Sequence, residues 1–198
     1  MKKYIPLILI ILVLLIDQFT KIYIKTHWVI GEEYKVSNWF IIHFTENNGM
    51  AFGMELGGSL GKLLLSSFRI IAIGFIGYYL FKIIKLSDKP IGYILAIALI
   101  FSGALGNILD SLFYGTLFSD SYYQVAEFLP KEGYADFLYG KVVDMLYFPI
   151  IETHFPSWFP LWSNESFVFF RPVFNIADAS ITIGISIIII FYRSIILK

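Results

Sequence analysis

Two aspartates carry the chemistry this sequence permits. Asp178 lies in Phe174-Asn175-Ile176-Ala177-Asp178-Ala179, at the mouth of an apolar run from Ala177 to Leu197. Asp144 ends a short β-prone run, Gly140-Lys141-Val142-Val143-Asp144. An acid in a membrane span costs roughly 2.5–3.5 kcal/mol at the helix centre and less near an interface, so Asp178 needs a compensating partner or a task. Two carboxyls brought close together do not both ionise readily: one keeps a proton, one stays charged, and the pair titrates as a unit. Such a pair supports acid–base hydrolysis, the charged member taking a proton from water and the protonated one polarising a peptide carbonyl. By spacing alone, the same two acids fit half of a proton or ion pathway in a small proton-coupled transporter or other membrane binding protein equally well, or a structural protein whose acids are only ion-paired.

Other polar residues keep them company. Asn175 stands three residues before Asp178, on the same helix face. Gly103, Asn107 and Asp110 follow i, i+4, i+7 and share another face. Asp17 and Lys21 are i, i+4 and can pair, which by itself is a helix-end lock. Glu46-Asn47-Asn48-Gly49 is a turn signal that offers the Asn47 amide near the membrane surface. Competing chemistries have little support. His27, His43 and His154 are widely spaced and form no H-E-x-x-H pair, and the chain has no cysteine, so neither metal ligation nor a thiolate is expected. There is no G-x-S-x-G and no glycine-rich phosphate loop. Net charge is zero, which gives a nucleic-acid partner no electrostatic footing.

The elements that must position these residues are membrane spans. Hydrophobic residues make up 58% of the chain and charged ones only 15%, well below the roughly 25% of a soluble domain. Four apolar runs stand out, about 5–24, 63–84, 91–113 and 177–197, with loops 25–62 and 114–176 between them. The first run has a basic start but no small-x-small cleavage site, and reads as a retained helix. With four spans both termini share a side. That side holds Lys2, Lys3, Lys82, Lys85, Lys89, Arg193 and Lys198 against the single acid Asp88, so the termini are expected in the cytoplasm. Asp17, Lys21, Arg69, Asn107, Asp110, Asn175 and Asp178 then all fall at the outer membrane face.

Between the spans, Val36 to Thr45 suits a strand. Ser102 and Gly106, four apart on the third run, are a helix-packing signal, and small residues on runs two and three are candidates for shaping a groove. Tyr114 to Gly140 is polar and reads as an irregular insertion. Phe148, Phe155, Trp158, Phe159 and Trp162, interleaved with Pro149, Pro156 and Pro160, suit a segment lying in the headgroup region. The expected architecture is a single integral membrane domain over residues 1–198. It is an all-α membrane fold with four transmembrane helices, a small extracytoplasmic β-containing subdomain and an interfacial aromatic segment.

The ordered motifs Asp17-Gln18-x-x-Lys21, Asn47-x-Gly49-x-Ala51-Phe52, Gly103-Ala104-Leu105-Gly106-Asn107-Ile108-Leu109-Asp110, Gly140-x-Val142-Val143-Asp144 and Phe174-Asn175-x-Ala177-Asp178 resemble those of the lipoprotein signal peptidases, or signal peptidase II. The resemblance covers nearly the whole chain. It implies an intramembrane aspartic protease of the bacterial inner membrane, with Asp144 and Asp178 as catalytic dyad and no cofactor. It further implies substrate-binding roles for Asn47, Gly49, Asn107, Asp110 and Asn175, and supporting roles for Asp17 and Lys21. The implied partners are membrane lipid and a prolipoprotein, cleaved just before a diacylglyceryl-modified cysteine; the implied inhibitors are cyclic peptides of the globomycin type. Two departures stand out. Where the family usually has arginine after the span-three aspartate this chain has Ser111, which leaves Lys141 and Arg171 as candidate cations. The stretch Tyr114 to Tyr139 is longer than usual, in the position of a lid or partner surface.

Overall fold

The computed structural model describes residues 3–48, 58–86, 88–154, 157–158, 165–169 and 171–196. Its frame is helical. α1 (Ile5–His27) carries Pro6 in its first turn, where a missing N–H is harmless. α2 (Gly58–Leu86) and α3 (Ile91–Leu109) follow, and α3 runs on through one π-helical turn (Asp110–Tyr114) into α4 (Gly115–Leu117). After the β region come α5 (Ile176–Phe191) and a short α6 (Arg193–Ile196). Among the described residues, Ile5–His27, Leu60–Leu86 and Ile91–Leu117 are long and apolar enough to cross a membrane. α5 is apolar but has 16 residues, about 24 Å at 1.5 Å per residue, against a hydrocarbon core of about 30 Å. The expected continuous run 177–197 is thus broken: Tyr192 leaves helical geometry and α6 starts anew.

α1 shows what solvent the frame is built for. It buries Asp17, Lys21 and Lys25 completely and exposes Leu15, Phe19 and Ile16. In water that arrangement would cost desolvation on one face and expose oil on the other. Against lipid tails it is the favourable one, since apolar side chains lose nothing there and polar ones must find partners inside. The fold is that of a multi-pass membrane protein.

α3 is central, packed against α1, α2 and most extensively α5. Small residues make that last approach possible. A Cβ on Gly103 would sit 2.2 Å from the Ala177 carbonyl oxygen, and one on Gly184 2.6 Å from that of Ala96. The small-residue contact is therefore built chiefly between α3 and α5, rather than between the second and third runs. Ile10, Leu80, Ile83, Ile94 and Ile188 fill the core between the helices.

The outer subdomain is an antiparallel sheet in the order β1 (Glu33–Ser37), β2 (Phe40–Asn47), β3 (Val142–Tyr147), β6 (Val173–Phe174). A separate hairpin pairs β4 (Ile151–His154) with β5 (Ser166–Phe169). The single strand expected over Val36–Thr45 is in fact a hairpin. The chain turns at Asn38-Trp39, where an Asx residue favours a turn more than the flanking β-branched residues oppose it. The acid expected at the end of its strand lies inside β3 instead. Residues 114–140 hold little regular structure beyond the end of the π turn, α4 and one bridge, Phe118 to Phe128. They pack on the sheet through Tyr114, Phe118 and Ala126, against Phe44, Val143 and Met145.

Candidate active site

Sheet register places Asp144. It pairs with Thr45, and Asn47 lies two residues on along β2, on the same sheet face. The register shift between Ile42 and Thr45 bends β2 there, as bulges often do beside functional groups. The Asn47 amide donates to Asp144 Oδ2, and Asn175 Nδ2 donates to Oδ1 at 2.7 Å. Asp144 is only 2% exposed. Burial first, and the neighbouring Asp178 charge second, hold its carboxyl well above the ordinary carboxylate value; Lys21 and the Asn175 bond oppose this.

The second carboxylate comes from the start of α5. Asn175 is the N-cap: its Oδ1 accepts from the Asp178 N–H at 2.9 Å, and the Asp178 carboxylate receives the Asn175 N–H at 3.4 Å. This reciprocal box satisfies two orphan donors of the first turn. It also fixes Asp178 at the positive end of the helix. Asn107 Nδ2 donates to Asp178 Oδ1 at 2.7 Å, while Asn107 Oδ1 accepts from Asn175 Nδ2 at 3.1 Å. Two touching amides, one from α3 and one from α5, therefore hold the two carboxyls.

Behind them sits a fully buried ion group. Lys21 Nζ lies 2.9 Å from Asp17, 2.8 Å from Asp110 and 2.9 Å from Asn107 Oδ1. Gln18 Nε2 donates to Asp110 at 2.9 Å, and Asp17 accepts the Ala177 N–H at 2.9 Å, which ties α1 to the first turn of α5. Asp110 opens the π turn, whose extra residue re-aims the helix face where the Val143 N–H reaches it at 3.4 Å.

Of the residues singled out from sequence, Asp17, Lys21, Asn47, Asn107, Asp110, Asp144, Asn175 and Asp178 converge in one hydrogen-bonded assembly. Gly49 lies outside the described residues, as do Phe155, Phe159 and Trp162 of the aromatic segment. Lys141 is engaged elsewhere: it sits 3.7 Å from Glu46 and over the rings of Tyr122 and Tyr134. Arg171 is exposed. Ser111 donates its hydroxyl to the Asn107 carbonyl at 3.3 Å. Sequence reasoning missed the buried Lys25, which bonds Glu46 and, at 2.8 Å, Ser121. The available signal was its spacing, since Asp17, Lys21 and Lys25 recur every four residues on one face of α1. Among the described residues, no group of three or more His, Asp or Glu converges as metal ligands would.

A family model described as signal peptidase (SPase) II matches residues 9–194. The chain is 49% identical over 185 residues to the lipoprotein signal peptidase of Porphyromonas gingivalis, covering 93% of this chain and 80% of that one. It is 33% identical to that of Amoebophilus asiaticus, covering 93% and 75%. Among solved structures, a bacterial membrane enzyme determined by the in meso method at 1.9 Å resolution is similar at 28% identity, with a TM-score of 0.59, covering 93% of this chain and 90% of that one.

Proposed function

The chain belongs to the signal peptidase II family, and we propose that Asp144 and Asp178 are its catalytic dyad. As a lipoprotein signal peptidase it removes the signal peptide from prolipoproteins. The observation that carries the dyad is the amide bridge: Asn175 donates to Asp144 through its side chain and to Asp178 through its backbone, so one residue sets both carboxyls. Their environments differ in the way a shared-proton pair needs. Asp144 is buried in the sheet with its carboxyl held well above the ordinary carboxylate value, and Asp178 sits at a helix N-terminus with two N–H donors.

In the reaction, Asp178 takes a proton from a water molecule as its oxygen adds to the scissile carbonyl carbon. Asp144 gives its proton to the carbonyl oxygen. Collapse of the tetrahedral species breaks the C–N bond, and the amine leaves with the proton that Asp178 had gained, while Asp144 recovers its own. No covalent enzyme intermediate is needed.

The finer reading places four spans in a bacterial inner membrane, termini in the cytoplasm, with the site near the outer face. Seven basic residues against one acid on the terminal side support that orientation. A scissile bond just before a diacylglyceryl-modified cysteine suits that depth, because the acyl chains lie in the outer leaflet. Globomycin-type cyclic peptides would occupy the same groove, and the aromatic segment after β3 would rest in the headgroups. Asp178→Asn keeps the shape and removes the acid. Purified Asp178→Asn is expected to leave a diacylglyceryl-modified prolipoprotein uncut, and continued cleavage would sink the dyad.

A further inference from the structure

α2 brings a polar stripe to the site. Lys62, Ser66 and Arg69 recur at i, i+4, i+7 on one face of α2. The first two fix where that face points. Lys62 Nζ donates to the Asn48 carbonyl at 2.8 Å, next to the Asn47 that bonds Asp144. Ser66 donates to the Leu138 carbonyl at 3.1 Å. Arg69 lies on the same face, about 4.5 Å further along the helix axis than Ser66.

A guanidinium nine residues into the span Leu60–Leu86 needs anionic partners. α2 has no acid between Gly58 and Leu86. Among the described residues, the acids of the other spans are Asp17, Asp110 and Asp178, all in the site, with Asp144 beside them. Lys21 bears on Asp144 through its charge alone. Its three N–H bonds are spent on Asp17, Asp110 and Asn107, leaving none for Asp144 or Asp178. The charges that attract Arg69 are those of Asp178, Asp110 and Asp144, Asp178 most strongly. Lys62 on α2 repels it, and Lys141, before β3, repels Lys62 in turn.

We propose that Arg69 is the counter-cation of the Asp144/Asp178 pair, holding from the polar face of α2 the single negative charge that the working dyad carries. The proposal rests on the dyad reading above. Arg69 acts here as a positioning residue: it sets how readily the dyad gives up its first proton, and so the pH at which the enzyme becomes competent.

The test is kcat/KM against pH on a diacylglyceryl-modified prolipoprotein, with the full chain and its Arg69→Gln and Arg69→Lys variants. An opposite charge close to a carboxyl depresses its pKa by roughly 1–3 units. Removing that charge therefore moves the acid limb of the Arg69→Gln profile up by about one unit or more. Arg69→Lys keeps the charge and leaves the limb at the parental pH, even where kcat falls. A parental limb in Arg69→Gln overturns the proposal. If Arg69→Gln is inactive at every pH, rescue by Arg69→Lys upholds it and equal inactivity of Arg69→Lys overturns it. Asp144→Asn and Asp178→Asn run alongside separate the two readings. If they still cleave, the dyad fails and the counter-cation with it. If they are dead while the Arg69 variants share the parental limb, only the counter-cation fails.

Discussion

Lys21→Met removes the one cation of the buried ion group and keeps most of the side-chain volume. Lys21, Asp17 and Asp110 are each 0% exposed, so no water can take the place of the lost ammonium. Asp17 keeps the Ala177 N–H and Gln18; Asp110 keeps Gln18 and the longer Val143 contact. Each still faces the other's charge without the cation between them. Breaking a buried pair by removing one partner costs about 3–5 kcal/mol, because the survivor is left uncompensated. Here two survivors share one lost cation, which places the expected cost at the upper end of that range. For a chain of this size each kcal/mol moves the midpoint about 2–4 °C, so a cost of about 4–5 kcal/mol is expected to lower it by about 8–20 °C.

Thermal unfolding of the detergent-solubilised protein reads this directly. Lys21→Met/Asp110→Asn supplies the check on cause. It removes an anion along with the cation, so it should lose less than Lys21→Met alone, a non-additivity that contact loss by itself would not give. A midpoint for Lys21→Met within 2 °C of the parent, about the effect of a single kcal/mol, would refute the claim that this group is held together by charge. So would a double variant less stable than the single one.

Two further outcomes follow from the packing. Glu46→Gln strips the buried Lys25 of its anion, and limited proteolysis should then nick the 119–139 segment that Ser121 ties to Lys25; an unchanged digestion pattern would mean that segment is held by its apolar contacts alone. Gly103→Ala places a methyl 2.2 Å from the Ala177 carbonyl oxygen, forcing α5 away from α3. It should cost about 1–3 kcal/mol of stability and, by shifting Asp178 about 1 Å, about 100-fold in kcat/KM, whereas parental cleavage would show that the two helices can part without moving the acid.

How much of this was legible in the sequence depended on range. Asn175 and Asp178 are three apart at the start of an apolar run, and their capping box needs nothing beyond local chain geometry. Asn107 and Asp110 shared a readable helix face for the same reason, although the π turn that starts at Asp110 was not visible in the spacing. Lys25 was overlooked because its partners, Glu46 and Ser121, arrive from a strand and an insertion far along the chain. The β1–β2 turn was hidden because Phe40-Ile41-Ile42 resumes the β-prone pattern at once, so Asn38-Trp39 looked like a polar position within one strand. Arg69 was visible as a polar residue near the start of its run. What the sequence withheld was the direction of the α2 face, which the bonds of Lys62 and Ser66 supply.

The membrane explains why these polar groups form one network rather than several. In lipid an unused donor or acceptor finds no water, so each must be matched inside the protein. Lys21 spends all three of its N–H bonds, and Asn175 divides its amide among Asp144, Asn107, the Val143 carbonyl and the Asp178 N–H. With so few groups idle, a substitution in the ion group changes the geometry of the carboxyls even where it touches neither. Loss of activity alone therefore cannot separate a residue that holds shape from one that holds charge. A shape defect lowers the rate at every pH. A charge defect moves the limb of the pH profile. That difference is why Arg69 must be judged by where its profile turns, and Lys21 by stability and by its non-additivity with Asp110.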